Sequence, residues 1–164
     1  MSKKIVKHEL FEVNVPAGTT LTQFQIPDLP NLRHVNLLGV QTYYDKIVPN
    51  SVLSGKAVVS KALFKKAFLT LTNYEGKEFL KQAPLALFQT IEDNMSDDAI
   101  LASASTQEKD FKSFTAQKVN YPKSYINVAT AVPVVGFDQV FLISIYYVDP
   151  MEIGKPQATL QTRR

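Results

Sequence analysis

The segment that most constrains the fold is the apolar stretch QVFLISIYYV, which spans Gln139–Val148. Alternate residues of an extended chain point to opposite sides, and here both sides are apolar. A strand of this kind belongs in the middle of a sheet that is covered on both faces. The following Asp149-Pro150 step ends it, because proline has no N–H to donate to a sheet.

The remaining strands are predicted from shorter alternating segments that are separated by turns rich in Pro, Gly and Asn. Gly39 interrupts one of them and predicts a bulge or bend. The segment Glu92–Gln107 is polar, and Ser96 predicts the N-cap of one short helix over Asp97–Ala102. The predicted strands are Leu10–Val15, Thr22–Ile26, Arg33–Tyr44, Lys56–Ser60, Phe111–Val119 and Tyr125–Thr130.

Ala62–Phe88 predicts a β-hairpin that serves as scaffold and not as a site of chemistry. Its first strand is filled by Phe64, Phe68, Leu69 and Leu71. The turn is Asn73-Tyr74-Glu75-Gly76, where Gly76 can adopt a positive φ. The return strand ends at Pro84. The next segment, Leu85–Ile91, is compatible with either a helical turn or a further strand.

These patterns predict an all-β chain of eight or nine strands, folded as a sandwich or barrel, with at most one short helix. The 164 residues fit one domain. We expect a basic N-terminal arm over residues 1–8, a single sandwich over 9–149 and a C-terminal tail over 150–164. Neither a secretory leader nor a spanning segment is apparent, so we expect a soluble cytoplasmic protein.

Charge is divided between the ends and the body of the chain. The 18 basic residues include six near the ends, whereas all 15 acidic residues lie between 9 and 154. The ends are then either solvated tails or arms that reach a polyanion, an acidic neighbour or a membrane surface. The six terminal basic residues are Lys3, Lys4, Lys7, Lys155, Arg163 and Arg164.

Residue types that carry catalysis are sparse. There is no cysteine, and the two histidines, His8 and His34, lack further ligands at metal-binding spacing. The six glycines are scattered singly, without a phosphate-binding loop. We therefore expect no enzyme activity, no cofactor and no small-molecule substrate, although carboxylates converging in a cleft would be an exception.

Tyrosines are the last candidates for a binding surface. Tyr43 and Tyr44 form a doublet at a strand end, and Tyr121 adjoins a turn. Tyrosine tolerates partly solvent-exposed positions. These rings therefore belong either to the rim of the core or to an interface or sugar-stacking surface.

The central segment FLTLTNYEGKEFLKQAPLALF resembles strand–turn–strand–Pro-Leu stretches of single jelly-roll capsid proteins from tailless icosahedral phages. The resemblance rests on these 21 residues together with the overall strand spacing, and it implies a jelly-roll-like, two-sheet antiparallel sandwich.

The same resemblance implies a minor capsid, penton or decoration subunit in a virion assembled in the host cytoplasm. Its partners would be copies of itself and other capsid proteins, with weak contacts of the basic arms to nucleic acid or membrane. The alternative is a carbohydrate-binding or adhesin-like module whose groove is lined by Tyr43, Tyr44 and Tyr121.

Overall fold

The computed structural model describes residues 6–45, 56–89 and 112–150. Within these ranges the chain forms nine strands and one four-residue helix, α1, at Lys61–Phe64. Single 3-10 turns lie at Pro30–Leu32, Leu85–Phe88 and Tyr121–Lys123. The strands are β1 (Val6–Val15), β2 (Gln23–Gln25), β3 (Asn36–Tyr43), β4 (Ala57–Val58), β5 (Ala67–Thr72), β6 (Glu78–Pro84), β7 (Lys112–Gln117), β8 (Tyr125–Val128) and β9 (Gln139–Val148).

The strands form two sheets, and every strand pairing except that of β4 is antiparallel. One sheet has the order β1-β9-β3-β7, and the short β4 runs parallel to the start of β9. The other sheet has the order β2-β8-β5-β6. The predicted all-β, two-sheet antiparallel sandwich with at most one short helix is confirmed.

Strand pairing is nested. Among the described strands, with the two-residue β4 set aside, the first pairs with the last (β1 with β9) and the second with the seventh (β2 with β8). The third pairs with the sixth (β3 with β7), and the fourth with the fifth (β5 with β6). The chain thus folds as one long hairpin whose two arms wrap into two sheets.

β9 occupies the central position that its sequence predicts. It lies between β1 and β3, and its side chains from Gln139 to Tyr146 are buried on both faces. Toward the second sheet, Phe141 packs against Phe24, with ring centroids 6.2 Å apart. The long apolar run is therefore explained by burial on both faces.

Three other local predictions are confirmed. The register of β3 shifts between Leu37 and Gly39, which is the expected bulge. Gly76 has a φ of +81° in the turn between β5 and β6, and β6 ends at Pro84. Leu85–Phe88, which the sequence left open between a helical turn and a strand, is a 3-10 turn.

The prediction that the hairpin extends back to Ala62 is wrong. Lys61–Phe64 is helical, and β5 begins only at Ala67. Ser60 caps the helix, because its side chain accepts a hydrogen bond from the Leu63 N–H. The apolar residues of this helix, Leu63 and Phe64, are buried in the core rather than in a strand pair.

The N-terminal boundary also differs from the prediction. β1 begins at Val6, and its ten residues pair with β9 from Val148 back to Gln139. Residues 6–8 therefore belong to the sheet and not to an arm. The helix predicted over Asp97–Ala102 lies outside the described residues.

Candidate functional site

The predicted basic residues divide between the sheet and the undescribed ends. Lys7 lies in β1, opposite Tyr147 of β9. It is therefore held in a strand rather than carried on an arm. The other five predicted basic residues lie outside the described ranges: Lys3, Lys4, Lys155, Arg163 and Arg164.

The prediction that Tyr43, Tyr44 and Tyr121 line a ligand groove is wrong, because all three side chains are buried. Their exposed fractions are 2%, 1% and 1%. Tyr44 packs against Phe64 of α1 at a centroid distance of 5.4 Å, and Tyr121 meets Phe11 edge-on at 6.4 Å. These rings form part of the core and are not available for stacking on a ligand.

Burial has a clear electrostatic consequence for two of these tyrosines. Loss of solvent raises the pKa of Tyr43, and the neighbouring Tyr146 raises it further. Burial likewise raises the pKa of Tyr121, with smaller contributions from Tyr74, Glu9 and Tyr147. Both phenols therefore stay neutral over a wide range of pH.

Among the described residues, no group of three or more His, Asp or Glu side chains is placed to hold a metal ion. His34 lies 3.3 Å from Asp149, through Nε2 and Oδ2, where β3 is about to begin and β9 has ended. Across the same ranges, no helix has the length and apolar character needed to cross a membrane.

An open groove of about 340 Å³ lies at one end of the sandwich. We call this end, formed by segments 26–35, 73–77 and 118–124, the groove end. The start of β3, the end of β7 and the β5–β6 turn meet there, so both sheets contribute to the groove. Its lining residues are Asn36, Asn73, Tyr74, Glu75, Ala116, Gln117 and Lys118.

The β5–β6 turn holds one wall of the groove in a defined shape. Oδ1 of Asn73 accepts hydrogen bonds from the N–H groups of Glu75 at 3.0 Å and Lys77 at 2.9 Å. The Asn73 N–H donates to the Lys77 carbonyl at 2.9 Å. These bonds close the turn and present Tyr74 at its tip, where 52% of the residue is exposed.

The connection from β7 to β8 is tied to the base of this turn. The N–H of Asn120 donates to the Thr72 carbonyl at 2.8 Å. The buried hydroxyl of Ser124 accepts from the Thr72 N–H at 3.1 Å and donates to the Asn120 carbonyl at 2.9 Å. Because the two walls share these bonds, the groove is largely pre-formed.

The groove combines one aromatic face with groups that donate and accept hydrogen bonds. Three amides, one carboxylate and one ammonium group line the groove together with Tyr74. Glu75 and Lys118 carry opposite charges. Nearby Arg33 is held by Asp28, which raises the pKa of the guanidinium by hydrogen bonding and by its charge. The groove therefore does not present a cluster of unpaired positive charge.

The opposite end of the sandwich is more apolar. We call it the loop end: segments 16–22, 85–89 and 129–138. Six large hydrophobic residues are exposed in the described ranges, and four of them lie at this end. These four are Leu21, Leu87, Val134 and Phe137.

Two of these loops are joined to each other. The Ala17 N–H donates to Oδ1 of Asp138 at 2.8 Å, and the Val128 N–H donates to the Thr22 carbonyl at 2.8 Å. Lys56 adds a hydrogen bond to Asn14 at 2.8 Å. Leu21, Val134 and Phe137 therefore project from two connected segments.

Sequence reasoning missed the groove, because its lining comes from three separate parts of the chain. The Asn73–Gly76 turn appeared to be scaffold alone, although a tyrosine at a turn tip is a signal for an exposed ring.

Comparison with protein-family models, with curated proteins and with solved structures finds no match for this chain.

Proposed function

We propose that this protein is a non-enzymatic structural subunit of a virus particle, with a jelly-roll fold. As a minor capsid, penton or decoration subunit, it would act by assembling with copies of itself and with other capsid proteins. Its place would then be the virion, after assembly in the host cytoplasm.

The nested strand pairing is the observation that carries this proposal. Eight described strands pair first with last, second with seventh, third with sixth and fourth with fifth, and this pairing supports a jelly roll. Jelly rolls of eight strands are a common architecture of viral capsid domains. A fold alone does not determine function, so the proposal also needs a surface suited to assembly.

The loop end supplies a candidate surface for such contacts. Exposed apolar side chains that gather in one region favour association, whereas single scattered ones do not. Phe137 and Val134 lie three residues apart on one loop, with Leu21 on the loop to which it is joined. We therefore propose that subunits contact one another through the loop end.

The terminal basic residues would have a secondary part in this assembly. Their charge is opposite to that of the mildly acidic body, which favours contacts between copies in a symmetric particle. Weak contacts with nucleic acid or a membrane surface are compatible with the same charge.

Light scattering after size-exclusion chromatography, at low and at high salt, tests the proposal. We expect a closed oligomer, such as a trimer or pentamer, or larger particles. Phe137→Ala should shift the population toward monomer. Tyr74→Ala is the matched control, because Tyr74 is 52% and Phe137 53% exposed, at opposite ends of the molecule.

Salt and truncation separate the two kinds of contact. If the basic ends contribute, deleting residues 1–5 and 155–164 should weaken assembly and its salt dependence, while β1 and β9 stay whole. A monomer at every concentration and salt would contradict self-assembly. Unchanged assembly in Phe137→Ala would show that the loop end is not the contact.

A further inference from the structure

We propose that the groove at the groove end binds a neutral saccharide, with Tyr74 as the stacking surface and the neighbouring amides as hydrogen-bonding groups. This inference does not depend on a role in a virus particle. It assigns ligand binding to residues other than the three buried tyrosines that the sequence suggested.

The ligand class follows first from the mixture of groups in the groove. A sugar ring has an apolar C–H face and a rim of hydroxyls, each of which can donate and accept a hydrogen bond. An exposed tyrosine ring can cover the apolar face. Amides such as Asn36 and Gln117 can donate and accept at once, as paired hydroxyls require.

Charge then argues for a neutral ligand. Glu75 and Lys118 line the groove with opposite signs, and Arg33 is occupied by Asp28. A polyanion such as nucleic acid would need a stripe of basic residues, because phosphate contacts dominate its affinity. The groove lacks such a stripe among its lining residues.

Shape argues against a purely apolar small molecule. The groove is open to solvent, and its volume of about 340 Å³ is at the small end of the range for ligand sites. Pockets for drug-like molecules are lined mainly by hydrophobic side chains, whereas only two of the seven lining residues here, Tyr74 and Ala116, are of apolar type. An open groove of mixed polarity suits one or two sugar rings of a longer glycan, with water at its margins.

Rigidity strengthens the inference. The hydrogen bonds of Asn73 to Glu75 and Lys77 hold the Tyr74 turn, and the Ser124 and Asn120 bonds hold the opposite wall. A ligand would therefore not need to order these segments as it binds, which limits the entropic cost of binding. Because Asn73 uses Oδ1 within the turn, its Nδ2 is the group that would donate to a ligand.

The test is a titration of the full ¹⁵N-labelled chain, followed by NMR. The probes are the methyl glycosides of glucose, galactose, mannose and N-acetylglucosamine, with inorganic phosphate as a charged comparison. We expect at least one glycoside, at millimolar concentrations, to shift backbone amides confined to residues 73–77 and 116–118. A lack of shifts there with every glycoside, or shifts with phosphate alone, would overturn the proposal.

Two variants test the assigned roles. Tyr74→Ala should weaken the binding of the responding glycoside by about tenfold, as expected for loss of a stacking ring. Gln117→Ala should weaken it as well, since it removes an amide from the other wall. Phe137→Ala, equally exposed at the loop end, should leave the affinity unchanged.

The same variants separate this inference from the proposed function. Tyr74→Ala should lose saccharide binding and keep its oligomeric state, whereas Phe137→Ala should do the reverse. If Tyr74→Ala binds the glycoside as well as the original chain does, the groove is not the site, whatever the result for assembly.

Discussion

The hydroxyl of Tyr146 donates a 2.8 Å hydrogen bond to Oε1 of Gln41, and each residue is only 1% exposed. The two residues lie on the adjacent strands β9 and β3. Tyr121 presents the contrast, because its buried hydroxyl has no hydrogen-bond partner within the described part of the chain. These two phenols therefore make different contributions to stability.

We expect Tyr146→Phe to lower the free energy of unfolding by about 1–3 kcal/mol, because it leaves a buried amide oxygen without this donor. Tyr121→Phe should be neutral or stabilising, since it removes a polar group that is buried without a partner. Urea unfolding followed by far-UV circular dichroism measures both. Equal losses in the two variants would contradict the assignment.

Gly76 should be sensitive to substitution for a purely conformational reason. Its φ is +81°, and a Cβ built there meets nothing within 4 Å. Gly76→Ala should therefore destabilise by about 1–2 kcal/mol through backbone strain alone. Gly136→Ala is the control, because a Cβ there is equally unobstructed and its φ is not in the left-handed region. We expect its effect to stay within about 0.5 kcal/mol.

Asn73 should stabilise the fold through its side-chain oxygen, which accepts hydrogen bonds, and not through its side-chain nitrogen. Asn73→Ala removes the side-chain oxygen that holds the N–H groups of Glu75 and Lys77, and we expect a loss of about 1–2 kcal/mol. Asn73→Asp keeps an acceptor at the same position and should retain most of the stability. Thermal unfolding of the pair distinguishes them, and similar losses in both would argue against the hydrogen-bonding role.

Alkaline pH should destabilise the fold through its buried tyrosines. The pKa values of Tyr43 and Tyr121 are raised above the ordinary value of 10.0, so their contribution to stability is complete below pH 10. Above pH 10 the unfolded chain releases these protons while the folded chain holds them. Each phenol should then cost about 1.4 kcal/mol per pH unit.

Urea unfolding between pH 8 and pH 11 checks this expectation. Tyr121→Phe removes one of the two groups, so its stability should fall less steeply above pH 10 than that of the original chain. Parallel slopes for the two proteins would show that Tyr121 does not contribute.

The elements that the sequence predicted well are those that local pattern determines. The apolar run at Gln139–Val148 has one solution, a strand buried on both faces, and the bounds of β9 agree with it. Gly76 signals a backbone conformation that other residues adopt with difficulty, and Gly39 signals a shift in the register of its strand. Both predictions are confirmed.

The wrong predictions concern positions where tertiary contacts determine the local structure or the burial of a side chain. Lys61–Phe64 has apolar residues that suit a strand, but the Ser60 cap and the packing of Phe64 on Tyr44 favour a helical turn. Tyr43 and Tyr44 could have been exposed or buried, because the sequence does not specify what covers a strand end. The groove brings together residues 36, 73–75 and 116–118, so no linear motif contains it.

The pairing of β1 with β9 has a consequence for biosynthesis. β1 forms its sheet contacts with β9, which leaves the ribosome much later, and Val6 then lies opposite Val148. Until β9 has been synthesised, β1 and β3 both lack the neighbour that joins them. Contacts between residues so distant in sequence slow folding, and strands that are still unpaired are prone to aggregate. The nascent chain should therefore need a holding chaperone, and chains truncated before residue 139 should be recovered as aggregates.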